Sequence, residues 1–231
     1  MTVDGIQTKL IPATDPIYDA FTSDDWETPL YLAKAMVDIL NAELPDAFCG
    51  SGCVHPLACD FVLEPGAGNG NIAQFYRGDL PYYAVETKKS RFLSGKAVFP
   101  RGMWMHRDFM EMRLRDFAGR NFAVIANPPF SRAVDMLEHL ASFEALPRLL
   151  VLLLPTTFFQ SGDRSKRFAA LPFNITREYR LAGRVGYIRD GIPEDRRQCN
   201  DSVFVLRPEP ESTIKIRHVA DLQVSYEEVC R

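Results

Sequence analysis

The chain has 231 residues, 46% of them hydrophobic and 25% charged, which suggests one domain with a substantial core and excludes a disordered, collagen-like or disulfide-scaffold polypeptide. The formal net charge of −3 argues against a strongly basic nucleic-acid binder. No Arg/Lys-headed apolar stretch opens the sequence, and the longest aliphatic run, Leu149 to Leu154, is far too short to span a bilayer, so a cytoplasmic protein with no membrane partner is expected.

Residues 1–25 lack periodicity and read as an N-terminal arm. Pro29 then opens a helical pattern from Leu30 to Leu40, with Thr28 in the N-cap position. Residues 41–60 form a loop containing Cys49, Cys53, His55 and Cys59. Four such side chains could in principle hold zinc, but the spacing is not one of the common structural patterns. A Gly-containing loop with reduced thiols, and no metal, is the expectation.

From residue 61 short apolar runs alternate with amphipathic stretches. Strands are predicted at Phe61–Glu64, Tyr82–Glu86, Met103–His106, Phe122–Ala126 and Leu149–Leu154. Helices are predicted at Asn71–Tyr76, Thr87–Lys96, Ser131–Phe143 (Ser131 as N-cap, Asp135 near its start) and 163–170. Two late runs, Arg177 to Ile188 and Ser202 to Leu206, read as an antiparallel edge hairpin. Alternating strands and helices imply right-handed βαβ units, hence an α/β, Rossmann-like, mostly parallel sheet covered on both faces. The domain is placed at 26–208 and a C-terminal tail at 209–231.

The charge is unevenly spread. Residues 1–60 carry 2 basic and 10 acidic side chains, residues 86–120 carry 9 and 4, and residues 160–200 carry 9 and 5. An acidic chain can therefore still present a positive face. Within the last segment, Lys166, Arg167, Arg184, Arg189, Arg196 and Arg197 are the candidates for phosphate contact.

The first strand runs into Glu64-Pro65-Gly66-Ala67-Gly68-Asn69-Gly70. Glycines there permit a tight turn and close approach of a ligand to the backbone. Glu86 ends the next strand 20 residues after Gly66, where a carboxylate can accept from both ribose hydroxyls of a nucleoside cofactor. Glu64 would repel a pyrophosphate and suits a cofactor carrying an ammonium and a sulfonium, which favours S-adenosylmethionine over a nicotinamide dinucleotide. Asp108 can accept from an adenine amino group, with Phe109 against the ring.

Asn127-Pro128-Pro129-Phe130 follows the fourth strand. Strand carboxyl ends face the ligand crevice in open α/β sheets. Two prolines remove two N–H donors, so the loop offers carbonyl oxygens and the Asn amide. Asn127 and the Pro128 carbonyl can hold both hydrogens of a planar NH₂ and aim its lone pair at a methyl sulfonium, while Phe130 stacks on the base. Catalysis would rest on positioning and on polarising the amine. No Cys-Pro pair stands in the crevice loops, so covalent attack on cytosine C5 lacks its nucleophile.

Together these residues resemble the amino-group DNA methyltransferases, specifically N6-adenine enzymes of the gamma motif order. Trp26-Glu27-Thr28-Pro29 is similar to the N-terminal cofactor motif, and the resemblance implies that Thr28 and Pro29 reach the methionine part. Phe61 to Gly70 resembles the Gly-rich motif, Glu86 its ribose-binding acid and Asp108-Phe109 its adenine-binding pair. Asn127 to Phe130 resembles the catalytic tetrapeptide, with Phe for the more frequent Tyr. Leu149 to Phe158 and Asp201 to Leu206 resemble the later strand motifs, the second as an edge strand. The likeness spans about residues 24–208. It implies methyl transfer from S-adenosylmethionine to adenine N6 in DNA, with the target base flipped out of a duplex. Many restriction-associated members carry a target-recognition domain; here none is expected, as in small stand-alone enzymes of phages, so specificity is expected to be low, to be read by loops or to come from a partner such as a specificity subunit, and a homo-oligomer is a further expected partner. The alternatives are the same chemistry on RNA (adenine or guanine) or a protein glutamine amide, a non-catalytic methyltransferase-like subunit, and a nicotinamide oxidoreductase.

Overall fold

The computed structural model describes residues 26–44, 58–160, 162–182, 185–189, 192–194 and 200–208. The predicted arm and tail lie outside them. Strands β1 (Phe61–Pro65), β2 (Tyr82–Glu86), β3 (Met103–His106), β4 (Phe122–Ala126), β5 (Leu149–Pro155), β6 (Phe173–Arg180) and β9 (Asp201–Pro208) form a seven-stranded sheet in the order β3-β2-β1-β4-β5-β9-β6. β1 to β5 are mutually parallel, and β9 runs antiparallel to both its neighbours. β1, β2 and β4 are buried at every position. That explains why they read as unbroken apolar runs: each face is covered.

One face buries Leu32, Met36 and Leu40 of α1 (Leu30–Glu43) against Val62, Ile125 and Val151. The other buries Met136, Leu137 and Leu140 of α3 (Ala133–Ala141) against Leu63, Val124 and Leu152. At the far end, buried Glu43 of α1 pairs with Arg177 on β6 at 2.8 Å and Arg207 on β9 at 3.2 Å, tying the helix to the antiparallel strands. α2 (Lys89–Val98) lies beside β3, and Trp104 of β3 packs so tightly over Gly95 that a Cβ there would sit 2.1 Å from the indole.

Several predicted elements differ. The Asn71–Tyr76 helix is only a single 3₁₀ turn at Ala73–Phe75, because Tyr76 turns extended and is buried against Tyr82. Thr28 does not cap α1: Pro29 holds the N-cap position with no side-chain cap, and the Thr28 hydroxyl is engaged elsewhere. Ser131 does not cap α3 either. The turn begun by the prolines closes through Arg132 N–H to the Pro129 carbonyl at 2.9 Å, which makes Arg132 the N-cap residue. The run from Arg177 to Ile188 is two strands. β6 begins earlier and ends at Arg180, whereas β7 (Tyr187–Arg189) pairs with β8 (Ile192–Glu194) in a separate hairpin. β9 is not the edge; it is buried from Asp201 to Leu206 between β5 and β6.

The chain passes from β1 to β2 on one side of β1, while β4 lies on the other. This reversal opens a crevice beyond the carboxyl ends of β1 and β4.

Candidate functional site

The Gly-rich turn forms the crevice floor. Gly66, Gly68 and Gly70 have φ of +70°, +56° and +81°, a region L side chains rarely adopt. A Cβ on Gly66 or Gly68 would meet nothing within 4 Å, so these two present bare backbone to the cavity. Glu86 is buried, and its carboxylate accepts from Gly68 N–H and Lys88 N–H, each at 2.8 Å. Glu86 is thus fixed against the turn by backbone donors. Glu64 is 2% exposed and accepts from the Tyr82 hydroxyl at 2.6 Å. Burial pushes its pKa from 4.5 up to about 8 against that hydrogen bond, helped by the nearby Glu86 charge. Burial therefore favours the protonated form of Glu64 near neutral pH.

The crevice has two lobes that share Gly66, Thr87 and Pro129. The first contains Glu64, Glu86, Thr28 and Asn127. The second is walled by Val85, Phe109, Met110, Pro128 and Met136, with Asp108 at its edge. Asp108 Oδ1 accepts from Met110 N–H at 2.9 Å, capping the short turn Phe109–Glu111. Phe109 is buried, edge-on to His139 at 5.2 Å.

Trp26, Glu27 and Thr28 line the first lobe. Glu27 and Ile188 exchange two backbone hydrogen bonds, at 2.9 and 3.2 Å, which fasten this segment to the β7–β8 hairpin. Asn69 Nδ2 donates to Glu27 Oε1 at 2.7 Å, and Asn71 Nδ2 to the Thr28 carbonyl at 2.9 Å, which fasten it to the Gly-rich turn. Asn127, at the end of β4, donates from Nδ2 to Thr28 Oγ1 at 3.0 Å. Asn127 borders both the first lobe and a small adjoining slot with Trp26, Pro128 and Phe130. Tyr187 stands edge-on to Phe130 at 6.5 Å and is tilted at 61° to Trp26 at 6.4 Å, backing the slot. Thr28, Glu64 to Gly68, Glu86, Asp108, Phe109 and Asn127 to Phe130 therefore line one crevice or its adjoining slot, whereas Pro29, the N-cap residue of α1, and Gly70, where a Cβ would meet Gly95 of α2, are not among its lining residues.

Trp26, Glu27 and Asn69, which lie within the motifs read from sequence, also line the first lobe, together with residues not singled out there: Asn71, Lys88 and Arg91 in the first lobe, Arg107 and Arg132 in the second. Nothing local in the sequence marks the amides flanking Gly70, because Asn69 and Asn71 bond Glu27 and Thr28, 42 and 43 residues away.

The expected phosphate contacts are partly displaced. Lys166 is exposed on α4 (Gly162–Ala169). Arg167 is held at 2.6 Å by both Asp135 and Glu138 of α3, which raises its pKa further and commits its donors. Arg184, Arg196, Arg197 and the side chain of Arg189 lie outside the described residues, as do Cys49, Cys53 and His55. Cys59 is a buried thiol whose pKa burial pushes up to about 11, a poor ligand form. Among the described residues no cluster of His, Cys, Asp or Glu is placed to hold a metal, and no helix is long and apolar enough to cross a membrane.

No protein-family model matches the sequence, and no curated protein matches it. Solved structures do. A magnesium protoporphyrin IX methyltransferase from Synechocystis with bound S-adenosylmethionine superposes with a TM-score of 0.50 at 18% identity, over 78% of this chain and 79% of that one. A class I S-adenosylmethionine-dependent methyltransferase assigned in Listeria monocytogenes gives 0.59 at 14% identity, over 87% and 66%. A Pyrococcus horikoshii protein assigned as an RNA methyltransferase gives 0.56 at 14%, over 79% and 86%. At such identities the likeness is one of fold, and the fold is the Rossmann-like class I methyltransferase fold.

Proposed function

We propose that the protein transfers a methyl group from S-adenosylmethionine to the N6 amino group of adenine in DNA. The observation that carries this reading is the placement of Asn127. It closes the cavity floored by the Gly-rich turn and, on its other side, opens onto the slot shared by Pro128, Phe130 and Trp26.

The residues fit the cofactor. Bare backbone at Gly66 and Gly68 leaves room for it to lie on the turn. Glu86 would hold the ribose hydroxyls, and Glu64 would balance the ammonium and sulfonium. The apolar second lobe with Phe109 suits the adenine ring, with Asp108 at its polar edge. When bound, the cofactor supplies an electrophilic methyl on sulfur. In the slot, Asn127 Oδ1 and the Pro128 carbonyl would accept the two N6 hydrogens, drawing the lone pair out of the ring while Phe130 stacks on the base. The amine nitrogen then forms the N–C bond as the C–S bond breaks, and one N6 proton leaves to water. Orientation and fixed acceptors supply the rate.

Charge layering supports a polyanionic substrate. Acids Glu64 and Glu86 sit inside, whereas Lys88 and Arg91 border the first lobe and Arg107 and Arg132 the second. Basic side chains along the crevice would attract a phosphate backbone toward it, and the Glu86 carboxylate would disfavour phosphate on the floor. The exposed Lys166 extends the basic side chains onto α4.

Incubation with labelled cofactor and unmethylated DNA, followed by digestion to nucleosides, should yield labelled N6-methyldeoxyadenosine. Label only on RNA, or only on protein, moves the substrate. Cofactor binding with no label on any amine identifies a non-catalytic subunit, and stabilisation by NAD rather than S-adenosylhomocysteine defeats the methyltransferase reading altogether.

A further inference from the structure

We propose that Thr28 is a positioning residue for Asn127, fixing which end of the amide faces the acceptor amine. The inference rests on the amine-methylation reading above and deepens it.

An Asn side chain is planar, with an acceptor at one end and two donors at the other. Only the acceptor end is useful to an NH₂ substrate. A flipped amide would set donors against donors and push the amine out of place. The two prolines that follow Asn127 cannot correct such a flip, because they carry no N–H to hold the oxygen back. The hydrogen bond from Asn127 Nδ2 to Thr28 Oγ1, 3.0 Å long and spanning 99 residues of sequence, makes the choice. With the nitrogen docked on the hydroxyl, Oδ1 is the end left for the slot.

Thr28 is well built for this. It is 5% exposed, and its β-branched side chain has few rotamers. Its carbonyl is held by Asn71 and its neighbour Glu27 by Asn69 and Ile188. Its hydroxyl does not cap α1, the role its position in sequence suggested. The same threonine borders the first lobe of the crevice, so the amide is oriented from the cofactor side of the site.

The test compares wild type with Thr28→Val, which keeps the shape and removes the hydroxyl, and with Thr28→Ser, which restores it. Single-turnover transfer to a DNA adenine should slow roughly 2- to 10-fold in Thr28→Val, the range for losing one net hydrogen bond. The Kd for S-adenosylhomocysteine is measured for each variant so that rates are compared at saturating cofactor, and Thr28→Ser should recover most of the rate. Thermal melting confirms folding, and Thr28→Ala carries the same comparison should valine not be accommodated. In an Asn127→Ala background the Thr28→Val effect should vanish. An unchanged rate overturns the inference. So does a loss of cofactor affinity that accounts for the lost rate, or an effect that persists without Asn127. In each of these cases an active wild type leaves the function reading standing, whereas a wild type that methylates no amine removes both.

Discussion

Replacing Glu64 by Gln isolates the charge that burial has displaced. Burial holds the Glu64 carboxyl at a pKa of about 8 against an ordinary 4.5, and the Tyr82 hydroxyl bonded to it is likewise raised by burial and by that carboxylate. An acid with a raised folded pKa keeps its proton more firmly in the folded state. Between about pH 4.5 and 8 the folded chain therefore binds more protons than the unfolded one, and stability falls as pH rises through that window, then levels off above it. A gap of about 3.5 pH units at 1.36 kcal/mol per unit corresponds to roughly 5 kcal/mol in full, of which roughly 2–3 kcal/mol accrues between pH 5 and 7. Glu64→Gln keeps an acceptor for Tyr82 and removes the titration. The difference in melting temperature between variant and wild type should therefore move in the variant's favour by roughly 5–10 °C from pH 5 to pH 7 for a chain of this size. Circular-dichroism melts across pH 5–9 read this directly. Binding provides a second readout: S-adenosylhomocysteine brings an ammonium, so at pH 7 the wild type should release close to one proton per ligand. Calorimetry in buffers of different ionisation enthalpy measures that release, and Glu64→Gln should show none from this site. Parallel pH profiles for the two proteins would refute the assigned protonation state.

The other substitutions separate binding, chemistry and packing. Asn127→Ala should reduce turnover by roughly 10²–10³, the cost of losing one preorganised polar contact, and leave the Kd for S-adenosylhomocysteine nearly unchanged; comparable turnover would mean the amine is held elsewhere. Glu86→Ala should weaken S-adenosylhomocysteine binding by roughly 10- to 100-fold, since it removes charged acceptors for the ribose and also releases the Gly68 and Lys88 amides. Equal titration isotherms for the two proteins would exclude Glu86 from the ribose site. Gly95→Ala places a Cβ 2.1 Å from the Trp104 ring and should destabilise by roughly 1–3 kcal/mol; adding Trp104→Leu should recover part of the lost melting temperature, and no loss at all would argue against the tight α2–β3 packing.

The sequence revealed the strands, because their physics is local. Tyr82–Glu86, Met103–His106 and Phe122–Ala126 are framed by Gly, Pro and polar residues and occupy the predicted positions without adjustment. Since parallel strands deliver their carboxyl ends to one side of a sheet, the residues just past them can be assigned to one crevice from the sequence alone. What remained illegible depends on pairs far apart in sequence. A threonine before a Pro-led helix reads as a cap, and nothing near Thr28 reveals an amide arriving from β4 to occupy its hydroxyl. A serine after two prolines reads as a cap too, until the turn continues through to Arg132. Charge counts have the same blind spot. The segment 160–200 is rich in arginine, yet Arg167 is turned onto the two carboxylates that α3 presents one turn apart. The basic side chains that line the crevice, Lys88, Arg91 and Arg107, come instead from the 86–120 segment, joined by Arg132 beyond the Asn127–Phe130 loop. A run of like charge fixes how much potential a segment carries. Which way that potential faces is decided by the carboxylates that fold beside it, as Asp135 and Glu138 do for Arg167 on α4 and Asp116 does for Arg107 beside the second lobe.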